Sequence, residues 1–221
     1  MGKEGKTPAS GPKGGNQLKK NYFYIYIVAA LTVILPLPPY FAYGITAVIQ
    51  IYLLVCAGLI TKILLERLDM KKQVPVVVLI VLTMFTIFYK QLLILYSPVM
   101  ALTVGYSLYL VCFSSYVLGN ILDSVGLSPW MHFFKTFGRI TLFSFFTLVF
   151  FIFRDIIAFG AVSLPSSDGV KYIRLFNVKY DGHFFVSIPG TLILLGLIFG
   201  LFAYVNRKLM IVQRSYKYDD I

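Results

Sequence analysis

Residues 74–96 read VPVVVLIVLTMFTIFYKQLLILY, a run in which Lys90 is the single formal charge. A helix of about 20 predominantly apolar residues crosses a hydrocarbon layer roughly 30 Å thick, so this stretch reads as a membrane span. Similar runs recur on both sides of it. Upstream, residues 44–60 carry no formal charge, and Lys62, Glu66, Arg67, Asp69, Lys71 and Lys72 then mark a short polar connection. Before that, an apolar run from Tyr22 reaches Ile34 and Leu35 and meets Pro36-Leu37-Pro38-Pro39. Proline has no amide donor and clashes with the preceding turn, so a helix must break there. The break lies either inside the membrane, packed against neighbouring protein, or in a proline-rich outer loop.

Downstream, residues 99–122 contain Thr103, Gly105, Ser107, Ser114, Ser115 and Gly119. Such small residues permit close backbone approach, which predicts that this run packs inside a bundle. Residues 133–153 form a fifth run, interrupted early by Lys135 and Arg139 and ended by Arg154-Asp155; residues 184–205 form a sixth. The expected fold class is therefore an all-α membrane protein of six transmembrane helices. It divides into a disordered basic tail (1–20), a membrane domain (21–208) and a C-terminal tail (209–221).

Composition agrees. Of 221 residues, 58% are hydrophobic and 13% charged, too few polar groups to clothe an ordinary soluble core. The net charge of +11 would suggest nucleic acid in a soluble chain. Here nine of those charges fall in the N-terminal tail, residues 62–72, residues 119–139 and the C-terminal tail. These segments alternate along a six-span chain, so all four face one side. The positive-inside rule makes that side, with both termini, cytoplasmic, and nucleic-acid binding is not expected. The arithmetic of three spans per half is that of an inverted repeat.

Catalytic chemistry is sparsely provided. Cys56 and Cys112 both lie in apolar runs, where a thiol is most simply a small buried hydrophobe. His132 and His183 sit near span ends without a partner at metal-ligand spacing. Lys90 reads as a snorkelling lysine whose ammonium reaches an interface, and Arg154-Asp155 as an interfacial helix stop followed by a turn at Gly160. Aromatic residues make up 17% of the chain; membrane-interface belts explain most of them, and a stacking platform for a quinone or flavin has the same spacing. No phosphate loop, nucleophile elbow or carboxylate pair is present.

Several motifs carry a resemblance. Phe153-Arg154-Asp155-Ile156-Ile157-Ala158-Phe159-Gly160 resembles the Arg-Glu-x-x-Gly-x-Gly run of a family of six-span membrane proteins found in the Rnf complex and in the sodium-pumping NADH:quinone reductase. Asp155 stands for the Glu and Ala158 for the first Gly. Ile188-Pro189-Gly190-Thr191 through Leu195-Gly196-Leu197 resembles the opening of that family's last helix, Val74-Pro75 the opening of its third, and Ser97-Pro98, Gly105 and Gly119 its fourth-span pattern.

The resemblance implies an inverted 3+3 repeat with broken first and fourth spans. It also implies a homologous partner of opposite orientation in the inner membrane, and electron transfer coupled to Na⁺ or H⁺ translocation alongside flavin and iron-sulfur subunits. In the family each partner lends two cysteines to a shared [2Fe-2S] cluster. Those positions fall on Leu35 and Ser115 here, neither of which is a thiol; Cys112, three residues before Ser115 on the same helical face, is the candidate for a displaced ligand, with a core thiol the favoured reading. The chain is thus expected to act by position, not catalytic alone and ligating no cluster. Pro36, Gly105, Gly119, Arg154, Asp155, Gly160, Pro189 and Gly190 are expected to be structural or interface residues. A six-span vitamin-type transporter subunit has similar size and hydropathy and is the alternative.

Overall fold

The computed structural model describes residues 33–70, 72–122, 129–166, 169–175 and 183–219. Four of its helices are long and apolar enough to cross a membrane, and a bent pair of helices makes up to five crossings. The run expected to form the first span lies outside the described residues, apart from the helical Val33 and Ile34 and the turn that follows. The coarse expectation of a helical, multi-pass membrane protein holds.

Helix α1, Phe41–Arg67, begins after the prolines and forms the centre of the bundle. It closes through a turn in which Asp69 adopts φ 56°, the amide of Met70 donates to the Leu65 carbonyl at 3.1 Å and that of Asp69 to Glu66 at 3.3 Å. These are the paired 6→1 and 5→2 bonds that satisfy the last carbonyls of a helix. Helix α2, Val74–Tyr96, opens with Pro75 in its first turn, where the missing donor costs nothing, and stops at Ser97-Pro98. The chain then reverses and descends as three short helices, α3 (Pro98–Val104), α4 (Ser107–Cys112) and α5 (Ser115–Leu122). Between α3 and the α4–α5 segment the axis bends by 59°.

Helix α6, Pro129–Phe159, runs back toward the start of α1 and ends at Gly160, whose φ of 62° an L side chain would adopt only under strain. A two-stranded antiparallel hairpin follows, β1 (Ala161–Ser166) against β2 (Gly169–Arg174), a departure from the all-α fold expected from the sequence. A single turn, α7 (His183–Val186), leads into α8, Ile188–Asp219. At 1.5 Å per residue its 32 residues span about 48 Å. The segment expected to be a tail from residue 209 thus continues the helix as far as Asp219.

Packing explains why these elements persist. α1 lies against α2, α6 and the α4–α5 segment, with Ala42, Ala47, Ile51 and Leu54 fully enclosed. On α2 the buried face is Val78, Leu82, Thr86, Tyr89 and Leu93, spaced one helical turn apart. Its opposite face, Val76, Ile80, Met84, Phe88 and Leu95, is just as apolar yet exposed. α6 repeats this with Phe143, Phe150 and Phe151 inside and Leu142, Phe145 and Phe153 outside. A helix apolar on both faces suits a bundle whose outer solvent is hydrocarbon. Lys62, Arg67, Lys135, Arg139, Arg207 and Lys208 belong to one end of this bundle, and the hairpin and the α2–α3 turn to the other.

Candidate functional site: a bent span and a buried Arg–Asp pair

The bend in the fourth run meets the proline break of the first. The Ser107 hydroxyl donates to the Pro36 carbonyl at 2.7 Å, supplying a donor to a backbone group that the prolines release from any helix. On the same level the Gln50 side-chain amide of α1 donates to the Leu108 carbonyl at 2.8 Å, and the Tyr89 hydroxyl of α2 donates to the Thr46 carbonyl at 2.8 Å. Gln50 is wholly enclosed, and its Oε1 has no partner among the described residues. A polar stratum therefore crosses an otherwise apolar bundle where two chain segments depart from regular helix.

Lys90 belongs to this stratum. Its ammonium lies 5.4 Å from the centre of the Tyr109 ring, and its stem rests against Gly105, where a Cβ would stand 3.4 Å from the lysine Cε. Lys90 is half-buried, and its ammonium lies beside the bend, 3.6 Å from where that Cβ would stand.

The second feature is Arg154-Asp155. Neither residue stops a helix: α6 continues to Phe159, and the two side chains are 2% and 0% exposed. The Arg154 guanidinium donates to three carbonyls, from Nη1 to Leu37 at 3.2 Å, from Nη2 to Val186 at 3.1 Å and from Nε to Phe185 at 3.3 Å. It thereby satisfies the proline break on one side and the α7–α8 corner on the other. Asp155 Oδ2 accepts the Phe41 amide at 3.2 Å, the Ser163 amide at 2.7 Å and the Ser163 hydroxyl. Ser163 Oγ also accepts the Ala42 amide at 3.3 Å. Tyr40, the residue before α1, makes no side-chain cap, so a carboxylate and hydroxyl from elsewhere in the chain cap α1 and meet the positive end of its dipole.

The hairpin completes this end. Tyr40 stacks on Phe159 at 4.9 Å and meets Tyr172 edge-on at 5.7 Å. Tyr172, still half exposed, is held above the ordinary tyrosine range, by partial desolvation first and then by a hydrogen bond with Tyr40 and repulsion from Tyr40, Tyr43 and Asp155. A methyl group on Gly190 would lie 2.1 Å from the Phe184 carbonyl oxygen, so only glycine lets α7 and α8 meet at the corner that presents two of the carbonyls to Arg154.

The other residues singled out by sequence scatter. Leu35 is partly buried before the prolines, and Pro36 is bonded through its carbonyl as described. Cys112 is buried in α4 with its thiol against Thr83 and Thr86 of α2. Ser115 and Gly119 are exposed on α5, and a Cβ at Gly119 would meet nothing within 4 Å. Pro189 is exposed at the start of α8, and Cys56 is partly buried in α1. A hydrocarbon, an exposed hydroxyl and a core-facing thiol do not fit a [2Fe-2S] cluster that requires two thiolates from this chain.

Sequence reasoning passed over Gln50 and Ser163 and misplaced Lys62. Gln50 was legible as the lone side-chain amide in residues 44–60. Lys62, assigned to a polar connection, is 5% exposed inside α1 and donates to the Ile121 carbonyl at 2.9 Å, at the C-terminal end of α5. No family model matches the chain, and no curated protein or solved structure matches it.

Proposed function

We propose that this chain is an integral membrane subunit of an ion-translocating electron-transfer complex of the Rnf/Nqr type, and that it works by position. On this reading the run from Tyr22 to Leu35 is the first of six spans, and the second three repeat the first three with inverted topology. Both termini lie on the cytoplasmic side of the inner membrane. A homologous six-span subunit of opposite orientation is its neighbour, and the flavins and iron-sulfur centres belong to other subunits.

The observation that carries the reading is the bond from Ser107 to the Pro36 carbonyl. It joins the breaks of the first and fourth runs, the two places where the resembled family brings its subunits together. The bend of 59° in a fourth run with no internal proline after Pro98 also supports it. The concentration of net positive charge in the segments at one end supports the orientation.

The test is purification of the complex from its own membrane in mild detergent, with subunit identification, flavin fluorescence and iron quantification on one sample. Copurifying flavoprotein and iron-sulfur subunits are the expected result. A chain that purifies alone, without flavin or iron, and is stabilised thermally by a small-molecule substrate would overturn the reading in favour of a transporter subunit.

A further inference from the structure

Lys90 carries a charge and, among the described residues, meets no counter-charge. By the rise of an α-helix its Cα lies about 24 Å from the Val74 end of α2 and about 9 Å from the Tyr96 end, and its ammonium lies beside Gly105, 5.4 Å from the centre of the Tyr109 ring. An aromatic ring attracts a cation but replaces little of the water an ammonium loses in hydrocarbon. An intramembrane charge of this kind persists where something pairs with it.

Among the described residues no carboxylate is such a partner. The nine acids of the chain are Glu4, Glu66, Asp69, Asp123, Asp155, Asp168, Asp181, Asp219 and Asp220, and residues 5–65 and 70–122 contain none. Of those in the described residues, Glu66 and Asp69 close α1 at the opposite end of the bundle and Asp219 ends α8. Asp155 is engaged by Ser163 and Phe41. The surface flanking Lys90 is broad and apolar, with Phe88 56%, Leu102 85% and Tyr106 76% exposed. An apolar flank of this kind around one half-buried ammonium suits the side of another membrane helix. It suits a lipid phosphate less well, because the phosphate lies outside the hydrocarbon layer.

We propose that Lys90, in the notch formed by Gly105, Tyr106 and Tyr109, is the docking point for a partner subunit, whose membrane-spanning helix places an Asp or Glu carboxylate against the ammonium. The inference rests on the reading of this chain as a subunit of a larger membrane complex. It makes Lys90 a determinant of assembly: the bend leaves the notch and the partner fills it.

The experiment treats native membranes with a hydrophobic carbodiimide, which joins an amine to an adjacent carboxylate as an amide, and locates cross-links by mass spectrometry. An amide between Lys90 and an Asp or Glu in an apolar segment of another subunit is expected. In parallel, Lys90→Met should lower the partner recovered with the chain at least tenfold, at unchanged membrane abundance and thermal transition, and Lys90→Arg should retain more than half. Wild-type chain that copurifies with its complex but gives no Lys90 cross-link, with Lys90→Met assembling normally, would overturn the proposal and leave the subunit reading intact. A phospholipid lost from the complex in Lys90→Met, with all subunits kept, overturns it in favour of a lipid site. Wild-type chain that purifies alone removes the subunit reading, and this inference with it.

Discussion

Replacing Arg154 by methionine removes a guanidinium while keeping most of its volume. The three carbonyls of Leu37, Phe185 and Val186 would then face an apolar interior without donors. Side-chain hydrogen bonds in membrane proteins are worth roughly 0.6 to 1.7 kcal/mol each, and those made by a charged donor are at the upper end. Some of this is returned because a charge no longer has to be buried. The expected cost is about 2 to 5 kcal/mol of stability. Arg154→Lys keeps the charge but replaces a planar fork by a point donor and should lose about half as much. Thermal unfolding in a single detergent, followed by circular dichroism, measures both. Arg174→Met on the exposed face of β2 is the control and should change little. Arg154→Met that unfolds within the scatter of that control would refute the argument, because it would mean the guanidinium is not what satisfies the break.

Asp155→Asn should cost about 1 kcal/mol or less, since only Oδ2 is engaged and an amide oxygen can accept the same donors, whereas Asp155→Ala should cost about 1 to 2 kcal/mol as a lost cap; the same unfolding assay separates them, and equal losses would contradict the cap. Tyr172 is held above the usual tyrosine range, so its contribution to the hairpin is present below about pH 10, the unfolded value, and declines as pH rises through the higher folded value. The ultraviolet difference titration between wild type and Tyr172→Phe should show one phenol ionising later than the bulk, and a bulk-like curve would count against it. Gly190→Ala should be strongly destabilising because its methyl would meet a backbone oxygen that cannot yield. Gly119→Ala should be neutral or stabilising by about 0.5 to 1 kcal/mol in the isolated chain, where its surface is open.

The spans were legible because hydrocarbon imposes a length that composition reveals. Val74–Tyr96 was readable to both ends, since Pro75 and Ser97-Pro98 bracket it. The hairpin was not, because six-residue strands carry a weak alternation signal and the cue, Ser167-Asp168-Gly169, lay in a connection that also held scattered charges. Arg154 and Asp155 were noticed for the right residues and the wrong environment. Adjacent opposite charges after an apolar run ordinarily mark an interface, and what encloses them here is a proline break, a hairpin and a helix corner distant in sequence. Lys90 shows the same limit: its position was plain, but its neighbours Gly105 and Tyr109 are supplied by a bend that follows it in the chain.

α8 extends well beyond what a bilayer needs. The apolar segment Ile188–Val205 accounts for the crossing, and the same helix continues to Asp219, about 20 Å further at 1.5 Å per residue. A stalk of this kind is a ruler. It sets both the height above the bilayer and the compass bearing at which Arg207 and Lys208 are offered. One residue inserted after Val205 would raise those side chains by only about 1.5 Å but swing them through about 100°, so anything that grips the stalk should tolerate a change of length far better than a change of phase.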